Sequence, residues 1–175
     1  MRRALCLLFS LFFLLTAVQP ALAEPLQQEN PAQTLLDSMS VEERVGQLFI
    51  VSVEGQDLSK GSPMANLITQ RHIGGFILRT DRNNFSDQNP LVSAYKNNAT
   101  LQHLAWDKAQ NFTGRTPVYI PLYLGISQTG GMDPEQLLPG MAPLVSQMSL
   151  GATWSPERAK DAGAMLGSNL NAMGF

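Results

Sequence analysis

The chain of 175 residues carries 12 basic and 14 acidic residues and a single cysteine. Its basic residues form no block, which argues against binding to nucleic acid or to an anionic membrane surface. The length suffices for one ordinary domain but not for a closed eight-stranded α/β barrel, which takes about 250 residues.

The first 23 residues have the pattern of a secretory signal peptide. Arg2 and Arg3 precede an apolar segment, residues 4–18, and the small-residue sequence Ala21-Leu22-Ala23 follows. This order predicts cleavage after residue 23 and a secreted or periplasmic protein that leaves the membrane. An uncleaved membrane anchor is the alternative, because the segment approaches the length of a short transmembrane helix. After cleavage, ten basic residues face 14 acidic ones, and no cysteine remains.

The folded domain is predicted to span residues 34–175, after a linker, residues 24–33, rich in Gln, Pro and Asn. Ser40 and Glu43 have the spacing of a capping box, which predicts the start of a helix. A first strand is predicted over residues 48–53. The helix face expected to be buried consists of Val41, Val45 and Leu48.

A second and a longer third helix surround the second predicted strand, residues 76–78. The helix before it contains Met64, Leu67 and Ile68, and Gly74 is expected to end it in the left-handed conformation. The helix after it is predicted over residues 88–110. Core positions of that helix are expected at Leu91, Ala94, Tyr95, Leu101, Leu104 and Ala105.

The third predicted strand lies in an apolar stretch, residues 117–131, which ends in small polar residues and a glycine pair. Parallel α/β folds hold ligands at the carboxyl ends of their strands. Ser127, Gln128 and Thr129 are therefore candidate substrate-binding residues. Arg82 and Asn83, which follow the second strand, are candidates for the same reason. The glycine pair, Gly130 and Gly131, is expected to form a tight turn with positive φ.

The last part of the chain is predicted to contain a surface loop, residues 132–148, and a helix that begins near Pro156. Thr153 and Ser155 are both candidates for its N-cap. The succession of strands and helices, with short strands that do not alternate, predicts a parallel α/β arrangement. The face of the last helix consists of Ala162, Met165, Leu166, Asn169, Leu170 and Met173.

Several segments occur in an order typical of one enzyme family. They are residues 39–48, residues 73–78 with Arg82 and Asn83, residues 101–105, residues 126–131, and residues 150–153 with 171–175. Together they resemble the N-terminal domain of family 3 glycoside hydrolases, in particular bacterial β-N-acetylhexosaminidases. The segment Ile-Ser-Gln-Thr-Gly-Gly at residues 126–131 is similar to the family's Ile-Asp-Gln-Glu-Gly-Gly.

The resemblance implies the N-terminal part of a (β/α)₈ TIM barrel, with about three strand–helix units and an incomplete barrel. It implies hydrolysis of O-glycosyl bonds in β-linked amino sugars or other glycans, with a carboxylate nucleophile and an acid/base group. The family's sugar-binding Asp is Ser127 here and its Glu is Thr129, and a hydroxyl matches the charge-assisted hydrogen bonds of a carboxylate only weakly. The family's catalytic residues lie beyond Phe175, so no catalytic residue is assigned to this chain.

Three functional hypotheses follow. The chain is part of a secreted glycoside hydrolase, inactive alone, with a C-terminal remainder of the same barrel as its partner. Alternatively, it is a degenerate non-catalytic domain that binds a glycan or a partner chain. The third hypothesis is an inert remnant that does not fold stably.

Other chemistries have weaker support in the sequence. His72 and His103 lack ligand spacing, so neither a metal nor a cofactor is expected. Residues 125–129 lack the final glycine of the G-x-S-x-G nucleophile elbow. Trp106 and Trp154 are candidates for stacking on sugars, although packing within the domain is the expected use of each. Asn84, Asn98 and Asn111 lie in N-x-S/T sequons whose number is expected by chance.

Overall fold

The computed structural model describes residues 30–111, 119–128 and 138–175. Its helices are α1 (Pro31–Ser38), α2 (Val41–Gly46), α3 (Pro63–Thr69), α4 (Pro90–Gln110), α5 (Gln147–Ala152) and α6 (Pro156–Ala172). Its strands are β1 (Ile50–Val51), β2 (Gly75–Leu78) and β3 (Tyr123–Ile126). Residues Leu35–Phe175 form one compact unit, which contains the sheet and the helices from α2 onward. Helix α1 begins before Leu35 and ends within this unit. Helix α1 begins within the stretch predicted as a linker, and the predicted signal peptide lies outside the described residues.

The sheet confirms the predicted parallel α/β arrangement. Its strand order is β1-β2-β3, and both pairings are parallel. Ile50 pairs with Gly75 at the start of the first pairing, and Leu78 pairs with Ile126 at the end of the second. Within the described residues, the three strands form an open sheet and not a closed barrel, which agrees with the incomplete barrel that the resemblance implies.

Strand β1 is shorter than the predicted strand over residues 48–53. The backbone amide of Leu48 donates to the carbonyl of Val45, and that of Phe49 donates to the carbonyl of Gly46. These two residues therefore continue the last turn of α2 and leave only Ile50–Val51 free to pair with β2.

The capping box of α2 is confirmed, but the predicted buried face is wrong. The Ser40 hydroxyl accepts from the Glu43 amide, and the Glu43 carboxylate accepts from the Ser40 amide. The buried residues of α2 are Glu43 and Gly46. The predicted face is exposed instead, by 69% at Val41, 49% at Val45 and 81% at Leu48.

Backbone contacts at Gly46 explain this orientation of α2. A Cβ atom at this position would collide with the carbonyl oxygens of Arg71 and His72. The neighbouring Gln47 side chain donates to the His72 carbonyl at 3.2 Å. The side of α2 that carries Gly46 and Gln47 therefore packs on the turn before β2, and its valines face away.

The prediction for Gly74 is wrong, because the left-handed residue of this turn is His72, with φ of 57°. The left-handed residue thus comes two residues earlier in the chain than predicted. Gly74 is required for a different reason: a Cβ atom there would collide with the carbonyl oxygen of Gln47. The Gly74 amide also donates to the carbonyls of Gly46 and Phe49.

The core is centred on β2. Phe76 and Leu78 are buried on this strand, which has a neighbour on each side. Helix α3 contributes Met64, Ala65 and Ile68, and α4 contributes Ala94, Leu101, Ala105 and Ala109. Leu91 and Leu104 pack against this core as predicted, whereas Tyr95 is 57% exposed and was wrongly placed in it.

Helix α6 packs less closely than the sequence predicted. Ser155 is its N-cap, and its hydroxyl accepts from the Arg158 amide. Leu166, Leu170 and the following Met173 pack against the core, but Met165 is exposed. No residue within Pro156–Ala172 is fully buried.

Two of the three sequon asparagines are structural. Asn84 and Asn98 are each 1% exposed, and the Asn98 amide donates to the carbonyl of Met173 at 2.9 Å. A glycan could not be accommodated at either side chain in the folded domain.

In the part of the chain that the structure describes, no helix is both long enough and apolar enough to cross a bilayer.

The contact between Gly75 and β3 gives a stability prediction. A Cβ atom at Gly75 would overlap the carbonyl oxygen of Tyr123, whereas one at Gly163 of α6 would meet no atom. Gly75→Ala is expected to lower the free energy of unfolding by at least about 2 kcal/mol. Gly163→Ala is expected to raise it by about 0.5–1 kcal/mol, because alanine is the better helix former. Urea unfolding followed by circular dichroism compares the two, and equal effects would contradict the packing at β2.

Candidate functional site

The carboxyl ends of the three strands lie along one edge of the sheet, because all pairings are parallel. Ser127 follows Ile126, whose partner Leu78 is followed by Arg79. Val53 follows β1 two residues after its last paired position. We call this edge, marked by Val53, Arg79 and Ser127, the strand-exit edge.

The buried side chain of Asn84 joins the exits of β1 and β2. Its Oδ1 atom accepts from the backbone amide of Arg79 at 2.8 Å. Its Nδ2 atom donates to the carbonyl of Val53 at 3.0 Å and to that of Gly55 at 2.7 Å. The backbone adds a further link, since the Gly55 amide donates to the Arg82 carbonyl. One neutral amide thus fixes the two loops that border the strand-exit edge.

The loop after β2 is a short 3₁₀ turn, Thr80–Arg82, followed by Asn83 in the left-handed conformation with φ of 55°. Arg79 binds the carboxylate of Asp81 through two hydrogen bonds of 2.7 and 2.5 Å. These bonds from Arg79 hold the pKa of Asp81 below its ordinary value. The predicted site residues Arg82 and Asn83 are exposed on this loop.

The exit of β3 carries the other described candidates, Ser127 and Gln128, which are both half-buried. Gln128 lines a cavity of about 180 Å³ together with Leu144, Leu150 and Leu166. Thr129 and the glycine pair that follows it lie outside the described residues. The structure therefore places Ser127 beside the exit of β2, and Arg82 and Asn83 on the loop that leaves that exit.

The entry of β3 is held by a second amide, that of Gln102 on α4. Its Nε2 atom donates to the carbonyl of Leu122 at 2.8 Å, and its Oε1 atom accepts from the Leu122 amide at 3.0 Å. The Tyr119 hydroxyl donates to the same Oε1 atom. Helix α4 thereby sets the position of β3, and hence that of Ser127.

Residues 40–175 match the family described as Glycosyl hydrolase family 3 N terminal domain. The chain belongs to glycoside hydrolase family 3. It is similar in structure to a glycoside hydrolase family 3 β-N-acetylglucosaminidase from Paenibacillus sp. str. FPU-7, with a TM-score of 0.64 and 30% sequence identity. The similarity covers 78% of this chain and 23% of that enzyme, so the chain spans about a quarter of its relative's length. No curated protein matches the chain.

The positioning residues of this family 3 domain, Asn84 and Gln102, were missed as site residues by the sequence analysis. Asn84 was noted only for its sequon, and Gln102 only as part of a family-like segment. The available signal for Asn84 was its place between a predicted strand exit and the apolar Phe85, which is buried. A polar residue at such a boundary often satisfies backbone groups of the loop.

The histidines of the family 3 domain lie apart from the strand-exit edge. His72 is in the turn before β2, and His103 on α4 lies 3.3 Å from the Asp107 carboxylate at an exposed position. Among the residues that the structure describes, no group of three or more His, Cys, Asp and Glu side chains could hold a metal ion.

The two tryptophans differ in their packing. Trp106 contacts Tyr119 edge to face, with ring centroids 5.1 Å apart, as the packing interpretation predicted. Trp154 is 93% exposed, so the expectation that it packs within the domain is wrong. It occupies the turn between α5 and α6, and its φ of 51° is left-handed.

Removal of the Asn84 amide should destabilise the family 3 domain. Asn84→Ala leaves the Val53 carbonyl and the Arg79 amide without this partner, and the expected loss is about 2–4 kcal/mol of unfolding free energy. Asn171→Ala on the exposed side of α6 is the matched control, with a change within about 0.5 kcal/mol. Urea unfolding measures both, and a loss below about 1 kcal/mol for Asn84→Ala would contradict its linking role.

The Arg79–Asp81 pair predicts that the stability of the domain depends on pH. The lowered pKa of Asp81 means that folding favours its ionised carboxylate. The pair therefore stabilises the domain at pH values above the unfolded-state pKa of Asp81, which is near 3.8. This stability is lost as the pH falls through the lower, folded-state pKa of Asp81. Asp81→Asn should therefore show a smaller decrease in urea midpoint between about pH 7 and about pH 3 than the wild type. Asp161→Asn on α6 controls for the loss of one charge, and identical pH profiles for the two variants would exclude the effect.

Proposed function

We propose that this family 3 domain binds a β-linked amino sugar at the strand-exit edge, through the neutral side chains of Ser127 and Gln128. The observation that carries the proposal is the position of Ser127 at the exit of β3, level with the exit of β2. The family resemblance has a sugar-binding Asp at this position. The relative of similar structure is a β-N-acetylglucosaminidase, which supports an amino sugar as the ligand class.

The residues at this edge suit the polar groups of a sugar. A serine hydroxyl both donates and accepts, and a glutamine amide offers two donors and one acceptor. Arg82 and Asn83 lie exposed on the neighbouring loop and could add contacts to an extended ligand. Each neutral hydrogen bond contributes about 1 kcal/mol, so the expected dissociation constant for a short ligand is roughly millimolar.

We propose further that this polypeptide alone does not hydrolyse the glycan. Retaining hydrolysis requires two carboxyl groups about 5–5.5 Å apart, one of which donates a proton. Asp81 at the β2 exit is held by Arg79 with a lowered pKa, so it is an ionised hydrogen-bond acceptor rather than a proton donor. The catalytic groups would then come from a C-terminal remainder of the same barrel.

An exposed apolar surface supports such a remainder as the partner. Leu48 and Phe49, which directly precede β1, are 81% and 55% exposed, and Ile50 at its start is 48% exposed. The outer edge of β1 has no neighbouring strand within the described residues. A parallel sheet normally has both faces covered, and a closed barrel has no free edge. A further strand–helix segment of the barrel would cover this surface.

We also propose that the protein is secreted or periplasmic, with residues 1–23 removed as a signal peptide. The support is the arginine pair, the apolar segment and the small-residue site of the sequence. N-terminal sequencing of protein from the periplasm or medium should begin at Glu24. An unprocessed N-terminus in the membrane fraction would favour the anchor.

Variants at Ser127 test sugar binding. Ser127→Asp introduces the carboxylate that the family resemblance expects and should tighten chitobiose binding about tenfold, because charge-assisted hydrogen bonds are roughly twice as strong. Ser127→Ala should weaken binding severalfold. Ser168→Asp, an exposed position on α6, adds the same charge elsewhere and should have no effect. Isothermal titration calorimetry measures all three, and no heat of binding for wild type and Ser127→Asp would reject the site.

An activity assay tests the non-catalytic part of the proposal. The purified chain should not hydrolyse an aryl N-acetylglucosaminide, even at high protein concentration. Turnover that is unchanged in Ser127→Ala, and that is lost when a contaminating hydrolase is separated from the chain, would leave the proposal intact. Turnover that copurifies with this chain and changes with its variants would overturn it.

A further inference from the structure

Trp154 combines two unfavourable features in the turn between α5 and α6. Its side chain is 93% exposed, and its backbone has the left-handed φ of 51° that a bulky residue rarely adopts. Glycine would adopt this conformation without a steric cost. Among the residues that the structure describes, stability therefore gives no reason for tryptophan here, and such an exposed, strained position points to a role in binding.

The indole borders a groove of about 490 Å³, which lies within the size range of ligand pockets. Its lining is mainly apolar and includes Leu150, Pro156 and Ala159. The lining also includes the polar residues Gln147 and Ser155, and the Ser155 hydroxyl donates to the Glu157 carboxylate at 2.9 Å. An aromatic face beside a side-chain amide and a hydroxyl matches a pyranose ring, which has apolar C–H faces and hydroxyl groups around its rim.

This groove is continuous with the cavity at the end of β3. Gln147, Leu150 and Ala159 line both the Trp154 groove and the 180 Å³ cavity that Gln128 lines. A path along the surface thus leads from Gln128, beside the strand-exit edge, to Trp154. A linear chain of sugars that begins at the strand-exit edge would extend along this path.

We propose that Trp154 is an outer binding site for a β-linked oligosaccharide, on which one pyranose ring stacks. The proposal rests on the proposed function, since the sugar at the strand-exit edge sets the direction of the chain. It adds a site beyond the strand-exit edge and predicts a preference for longer ligands. We expect an oligosaccharide longer than a disaccharide to contact both Ser127 and Trp154, and a disaccharide at Ser127 to leave Trp154 uncovered.

The protein contains two tryptophans, which allows a selective fluorescence test. Trp106→Phe keeps an aromatic ring against Tyr119 and leaves Trp154 as the only tryptophan. In this variant, chitotetraose should shift the emission to shorter wavelength in a saturable manner, and chitobiose should not. Chitotetraose should also bind about tenfold more tightly than chitobiose.

Substitutions of Trp154 separate binding from stability. Trp154→Gly should remove the tenfold advantage of chitotetraose and leave chitobiose affinity unchanged. Its thermal midpoint should not fall, and it should rise by up to about 3 °C, because glycine relieves the left-handed backbone. Trp154→Phe should keep most of the advantage. Trp154→Asn also tolerates the left-handed conformation, lacks the aromatic ring and should lose the advantage, which keeps the test decisive if the glycine variant fails to fold.

The outcomes distinguish this proposal from the proposed function. Chitobiose binding that depends on Ser127, with no gain for chitotetraose and no effect of Trp154→Gly, would overturn the outer site alone. No binding of either ligand would overturn both. An emission shift that follows protein concentration, with a dimer in analytical ultracentrifugation, would instead assign the groove to contacts between copies and reject the oligosaccharide.

Discussion

The side chain of Asn84 is the link on which the candidate site depends. It binds the carbonyls of Val53 and Gly55 after β1 and the amide of Arg79 after β2. Residues that leave a strand lose their ladder partners, and buried backbone groups need replacements. A neutral amide can donate to two carbonyls and accept from an amide at once. Both loops at the strand-exit edge are thereby fixed without a buried charge.

Two other amides act in the same way at strand entries. Gln47 on the end of α2 binds the turn before β2, and Gln102 on α4 binds both backbone groups of Leu122 before β3. The end of α2 is thus connected by hydrogen bonds to the turn before β2, and α4 to the residue before β3. This explains how an open three-stranded sheet holds its register, although its first strand has only two paired residues.

The burial of the strands follows their position in the sheet. Strand β2 has neighbours on both sides, and its Phe76 is fully buried. Strand β1 is at an edge, and the residues around it remain exposed. Burial thus decreases from the centre of the sheet outwards, as expected for part of a barrel.

The candidate site differs in charge from the family motif that the sequence resembles, because Ser127 stands where that motif has an Asp. Ser127 lies at the end of β3, where the parallel register brings it level with Arg79. A hydroxyl at this position gives weaker, uncharged hydrogen bonds, so a single sugar contact yields little affinity. An additional stacking contact at Trp154 would compensate for this loss through ligand length. The strain at Trp154 is then a stability cost that is retained for binding.

The sequence by itself determined the local features of this protein. The capping box of Ser40 and Glu43, the three strands and the position of Ser127 at a strand exit all depend on residues that are close in the chain. The tertiary structure alone decided which way the elements face. Gly46 and Gln47 turn α2 toward the carbonyls before β2, so the valines that its periodicity placed inside are exposed. Helical periodicity identifies an apolar face, but the backbone contacts of distant segments determine whether anything covers it.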